Sequence, residues 1–74
     1  LRSNPEEEYQ TIRSVALEVI NEFDGLSSAA FWAEVQWRIW PRPEEIDIKA
    51  AMLRISVHEG WIEYDSEMKV RKRE

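Results

Sequence analysis

Apolar residues in the first third of the chain recur every three or four positions. Tyr9, Ile12, Ala16, Val19, Ile20 and Phe23 fall on one side, with Val15 at its edge. Thr11, Ser14, Glu18 and Asn21 fall on the other. That period predicts one amphipathic helix. Its start is marked by Asn4 as N-cap, Pro5 at the first helical position and Glu7 three residues on, the spacing of a capping box. Glu6, Glu7 and Glu8 suit the positive end of the helix dipole. Gly25 marks its stop.

A second helical pattern follows in "LSSAAFWAEVQWRIW", with Ser27 or Ser28 as cap. Phe31, Trp32, Val35 and Ile39 share the face expected in the core. Ala33, Trp37 and Trp40 lie roughly opposite. Pro41 disfavours helical geometry in the residue before it, so this helix must end near Trp40. After the rigid "PRP" connector, "EEIDIKAAMLRISVHEG" predicts a third helix. It begins between Pro43 and Ile48, with Asp47 a candidate cap, and ends at Gly60. Two apolar strips run along it: Ile46, Ala50, Leu53 and Val57 on one, Ile48, Ala51, Met52 and Ile55 on the other. A surface helix needs only one strip. The second implies that the helix is wedged between neighbours or meets a partner.

The period then shortens to two. "WIEYD" and "MKVRKR" alternate as strands with one buried face do. Ile62 and Tyr64 point one way, with Met68 and Val70 placed to pair with them. Lys69, Arg71 and Arg73 point the other way, near Glu63 and Asp65. Ser66 and Glu67 lie between, and neither is the Gly or Asn of a tight hairpin turn, so a slightly longer loop is expected. The whole predicts a mainly α fold with a small β-hairpin. It fills residues 1–74 as a single domain, with residues 1–4 as a flexible N-terminal tail.

Composition narrows the chemistry. Seventy-four residues make one domain with a modest core. The chain has no cysteine, which excludes disulfides and thiolate metal sites and fits an intracellular setting, cytoplasmic or nucleoid/nuclear. Its one histidine, His58, is too few for ordinary zinc ligation. No apolar run approaches the ~20 residues of a membrane span. The chain opens on Leu1 with no signal-peptide pattern, as a processed chain or a domain cut from a longer one would. No Gly-rich phosphate loop, Ser–His–acid set or zinc spacing appears. The expectation is a non-catalytic binding module without cofactor, metal or membrane.

The net charge of −5 is uneven. Residues 1–24 hold six acids against two bases, giving −4, whereas residues 61–74 balance four acids with Lys69, Arg71, Lys72 and Arg73. Those four cations are candidates for phosphate contact. They can equally pair across the hairpin with Glu63 and Asp65 and blunt an edge strand. Lys49 and Arg54 on the third helix, with Arg38 and Arg42 before it, could extend a basic surface. Glu44, Glu45 and Asp47 crowd that helix's first turn, where they complement the dipole and would repel phosphate. The strip of Ile48, Met52 and Ile55, extended by Trp37 and Trp40, is the candidate protein interface, because Trp and Met are enriched at interface centres. The same strip can instead pack inside the core.

Three helices followed by "LRISVHEGWIEYD" and a returning strand resemble the winged-helix (winged helix-turn-helix) family. The likeness covers nearly the whole chain, and "GLSS" before the second helix is similar to the usual start of that unit. Ser56 stands where the family often has an aliphatic residue, and the wing is very short. The resemblance implies DNA binding in a regulatory or replication-type protein, with the third helix in the major groove and the wing on the backbone. Arg42, Lys49, Arg54, Lys69, Arg71, Lys72 and Arg73 would then be the DNA contacts. A minority of the family bind proteins or RNA. The alternative is therefore a protein-interaction or homodimerisation module using Trp37, Trp40, Ile48, Met52 and Ile55.

Overall fold

The computed structural model describes residues 4–73. Helix α1 spans Pro5–Glu22. Asn4 caps it, its Oδ1 accepting from the Glu6 backbone N–H at 2.8 Å. The capping bond therefore goes to Glu6, one position earlier than the predicted box. Of the expected tail over 1–4, Asn4 is part of the helix start and residues 1–3 lie outside the described residues. Tyr9, Ile12, Ala16, Val19 and Ile20 are buried as the periodicity predicts, but Phe23, at the helix C-cap, is exposed. Gly25 then turns the chain at φ +98°, and a Cβ there would lie 2.6 Å from the Arg71 guanidinium.

Strand β1, Leu26–Ser27, comes next and was not expected. Ser27 does two jobs: it pairs in the sheet, and its Oγ caps α2 (Ser28–Arg38) by accepting from the Ala30 N–H. Phe31, Trp32 and Val35 are buried, and Phe31 meets Trp32 edge to face with centroids 4.8 Å apart. Ile39 is already extended, so the helix stops two residues before Trp40. Gln36 Nε2 donates to the Pro43 carbonyl and ties the connector to α2.

Helix α3 spans Glu45–Leu53. Glu44 stands at its N-cap and its carbonyl accepts from the Asp47 and Ile48 N–H groups. Asp47 thus lies inside the first turn rather than capping it. From Arg54 to Glu59 the bonding changes to the wider i→i+5 pattern. Ser56 supplies a reason: its hydroxyl donates to the Met52 carbonyl at 2.8 Å, competing for the acceptor of the α-helical ladder. Gly60 closes the turn at φ +71°, its N–H donating to Ile55 O.

Packing decides between the two apolar strips of α3. Ile48, Ala51 and Ile55 are buried, and Met52 packs partly buried against them. Ile46, Leu53 and Val57 face outward. The assignment of Ile48, Met52 and Ile55 to an exposed interface is therefore corrected: they belong to the core. The rotation of the helix is anchored by Arg54, which stacks 3.8 Å over the Tyr9 ring and pairs with Glu6.

Strands β2 (Ile62–Tyr64) and β3 (Lys69–Lys72) form the hairpin. The antiparallel sheet has the order β1-β3-β2. Ile62 faces Lys72, Glu63 faces Arg71 and Tyr64 faces Val70. Asp65 organises the loop, its Oδ1 accepting from the Glu67 and Lys69 N–H groups. Met68 is in the turn at φ +61°, not on the strand, and its side chain is exposed. A non-glycine residue in that region carries strain of about 1 kcal/mol or more. Among the described residues, helices and sheet enclose one core of thirteen buried apolar side chains, from Tyr9 to Val70. The fold is mainly α with a small antiparallel sheet. Among the described residues no helix is long and apolar enough to cross a membrane, and no group of side chains is set to hold a metal ion.

Candidate interaction surfaces

The hairpin cations do not form a free basic patch. Arg71 Nε lies 3.2 Å from Asp65 Oδ2, with Asp24 at 3.9 Å on its other side. Arg73 pairs with Glu63 at 3.4 Å and Lys69 with Glu67 at 3.5 Å. Lys72 faces Ile62 and so shares the inner side of the sheet with Val70. Its Nζ reaches Asn21 Oδ1 at 3.4 Å on α1, apart from the other three. The Asp65 carboxyl is held below its ordinary range, first by the Lys69 backbone N–H, then by the Glu67 N–H and Arg71.

The cations of α3 and of the segment after it are also engaged. Lys49 pairs with Glu45 one turn back, at 3.1 Å. Arg54 Nη1 and Nη2 donate to the two Glu6 oxygens at 3.0 and 3.2 Å. That fork lowers the Glu6 carboxyl and raises the guanidinium. Both partners of Arg54 are on α1, so the structure turns it to the first helix and does not join it to the hairpin. Arg38, in the last turn of α2, donates to Glu22 and Glu34. Arg42 differs from these: its guanidinium stacks 3.9 Å from the Trp37 ring and 5.6 Å from Trp40.

A second polar cluster escaped sequence reasoning. The Glu59 carboxylate accepts from Tyr9 OH, from Arg13 Nε at 2.6 Å and from Trp61 Nε1 at 2.9 Å. Partial burial works to raise the Glu59 carboxyl, but the three donors outweigh it and bring it down to about 2. Burial, and then the Glu59 carboxylate, push Tyr9 up to about 12. The cluster ties α1 to the end of the helical segment and to the residue before β2. Nothing in "HEGW" signalled it, since Tyr9 is fifty positions away. Its members are acceptor and donors satisfying one another, which is the arrangement of a clasp.

Several large apolar side chains also stand open to water. Ile46, Leu53 and Val57 are 70%, 61% and 66% exposed along one side of the third helical segment. Trp37 and Trp40 are 69% and 82% exposed. Trp32 is buried with its Nε1 donating to Tyr64 OH, and Trp61 is partly buried. A shallow groove of about 460 Å³ between α1 and the α2–α3 connector is edged by Trp40, Pro41 and Arg42 and by Glu7, Glu8, Glu44 and Asp47. No family model, curated protein or solved structure matches this chain.

Proposed function

We propose that this chain is a non-catalytic protein-interaction domain whose contact surface is the outward strip of α3 and the wider-wound segment that continues it: Ile46, Ala50, Leu53 and Val57. One observation carries the reading. Three large aliphatic side chains of one helix stand mostly in water, while most of the candidate cations are occupied by the chain's own acids. Full burial of such a side chain is worth about 1.5–3 kcal/mol, so the strip holds a few kcal/mol for a partner to recover. Surface ion pairs are worth only about 0.2–1 kcal/mol each, so breaking them would not by itself forbid phosphate binding. The larger obstacle is the field of a chain with net charge −5 and three acids at the start of α3. An intracellular setting fits the lack of cysteine.

DNA binding by a winged-helix-type domain is the second reading. The order of three helices followed by a hairpin supports it, as does Arg42, which rests on indole rings rather than on a carboxylate. Lys49, Arg54, Lys69, Arg71, Lys72 and Arg73 would have to exchange their present partners for phosphates.

Retention of a partner from a soluble extract on the immobilised chain tests the first reading. Leu53→Glu is expected to abolish retention while leaving the circular dichroism spectrum and melting temperature unchanged. Arg71→Ala and Lys72→Ala are expected to retain the partner. Retention that survives Leu53→Glu, or that nuclease treatment removes, contradicts the proposal.

A further inference from the structure

Resting on the reading of the α3 strip as a protein contact, we infer that its occupant is a second copy of this chain, with the two α3 segments antiparallel. The strip positions 46, 50, 53 and 57 alternate by four and three. That is the spacing of a seam between two helices. Val57 lies beyond the change to wider winding and is exposed like Ile46 and Leu53.

The flanking charges select the partner and its direction. Asp47 and Arg54 border the seam on one side, Lys49 and Ser56 on the other. Across a two-fold axis between antiparallel copies, Ile46 meets Val57 of the second copy and Ala50 meets Leu53, so small sits against large. Asp47 then faces Arg54 of the second copy, and the symmetry makes this opposite-charge pair twice. Lys49 faces the uncharged Ser56. Parallel copies would instead set Lys49 against Arg54, a like-charge pair made twice, and stack Ala50 on Ala50. Arg54 is still 42% exposed beside Glu6, and the five donors of a guanidinium leave room for a second carboxylate. The charge pattern is therefore self-complementary in one orientation only.

The seam is about 16 Å long, which puts the contact at the small end of specific interfaces, where association is weak. Sedimentation equilibrium of the whole chain from about 5 to about 500 µM is the test. A monomer–dimer equilibrium is expected, weakened at least tenfold by Leu53→Glu and by Asp47→Lys, and unchanged by Lys49→Glu. A strict monomer across that range overturns the second-copy inference while leaving the strip itself to the Leu53-dependent retention experiment. A dimer indifferent to Leu53→Glu overturns both. A dimer tightened by Lys49→Glu overturns the antiparallel arrangement, because that change favours only the parallel one. Ile46→Glu, at the other end of the seam, repeats the Leu53 measurement should that variant fold poorly.

Discussion

Phe31→Ala is expected to lower the melting temperature by roughly 15–30 °C and to leave the chain partly unfolded at 37 °C. Phe31 is fully buried, packs edge to face on Trp32, and lies in the helix that contacts both α1 and β3. Removing a buried phenyl ring costs about 3–5 kcal/mol, through lost burial and the cavity left behind. A domain of this length has a total stability of roughly 4–11 kcal/mol, so the loss consumes a large share of it. In a chain this small each kcal/mol moves the midpoint by about 4–8 °C. Phe23→Ala is the internal comparison: the same ring at an exposed helix end should cost under about 1 kcal/mol. Thermal melts of the two variants, followed by circular dichroism, check the contrast.

Replacing Glu59 has the second largest expected effect. Tyr9, Arg13 and Trp61 all donate to its carboxylate, and Tyr9 is a buried residue. Hydrogen bonds to a charged acceptor are worth about 1.5–3 kcal/mol, and the Glu59 side chain is 25% exposed, so Glu59→Ala should cost about 2 kcal/mol at neutral pH. The pH dependence follows from the direction of the shifts. Glu59 is depressed from 4.5 to about 2, so its contribution is complete above about pH 4.5 and is lost as the pH falls through about 2. Tyr9 is raised from 10 to about 12, so its share holds below pH 10 and is lost as the pH rises through about 12. Urea midpoints measured from pH 7 down to pH 2 should fall steeply below pH 4.5 in the native chain. Glu59→Gln should flatten part of that fall. Glu6, Glu22 and Asp65 are depressed as well and account for the remainder.

The sequence made α1 legible because its apolar period runs for five turns and both of its ends carry local signals. The rotation of α3 was not legible. Two apolar strips of similar strength leave the wheel without a preferred side, and the choice is made by the packing of Ile48, Ala51 and Ile55 into the core, with Glu6 and Tyr9 on α1 holding Arg54 beside it. Strand β1 escaped because two residues cannot display an alternation; it exists through its pairing with Val70 and Lys69. Met68 looked like a strand residue because it alternates with Val70, but Asp65 captures the loop backbone and leaves Met68 in the turn.

The candidate sites divide in the same way. The cations were visible as residue types, and the pairing of hairpin residues with hairpin acids was open from the alternation. The partners contributed by Asp24, Asn21 and Glu6 were not, since the fold alone brings them near. Trp37 and Trp40 keep the exposed position that the helical wheel assigned them. The outward aliphatic strip was identified as a strip, with its identity exchanged for that of its buried neighbour.

The most direct test of whether the basic ribbon serves the fold or a ligand is titration of the chain with a fluorescent duplex DNA at about 50 mM and about 200 mM salt. No saturable rise in anisotropy is expected at either salt concentration, for the native chain and for Lys72→Ala alike. Saturable binding that weakens steeply between the two conditions, with the salt slope reduced by about one unit in Lys72→Ala, would contradict it.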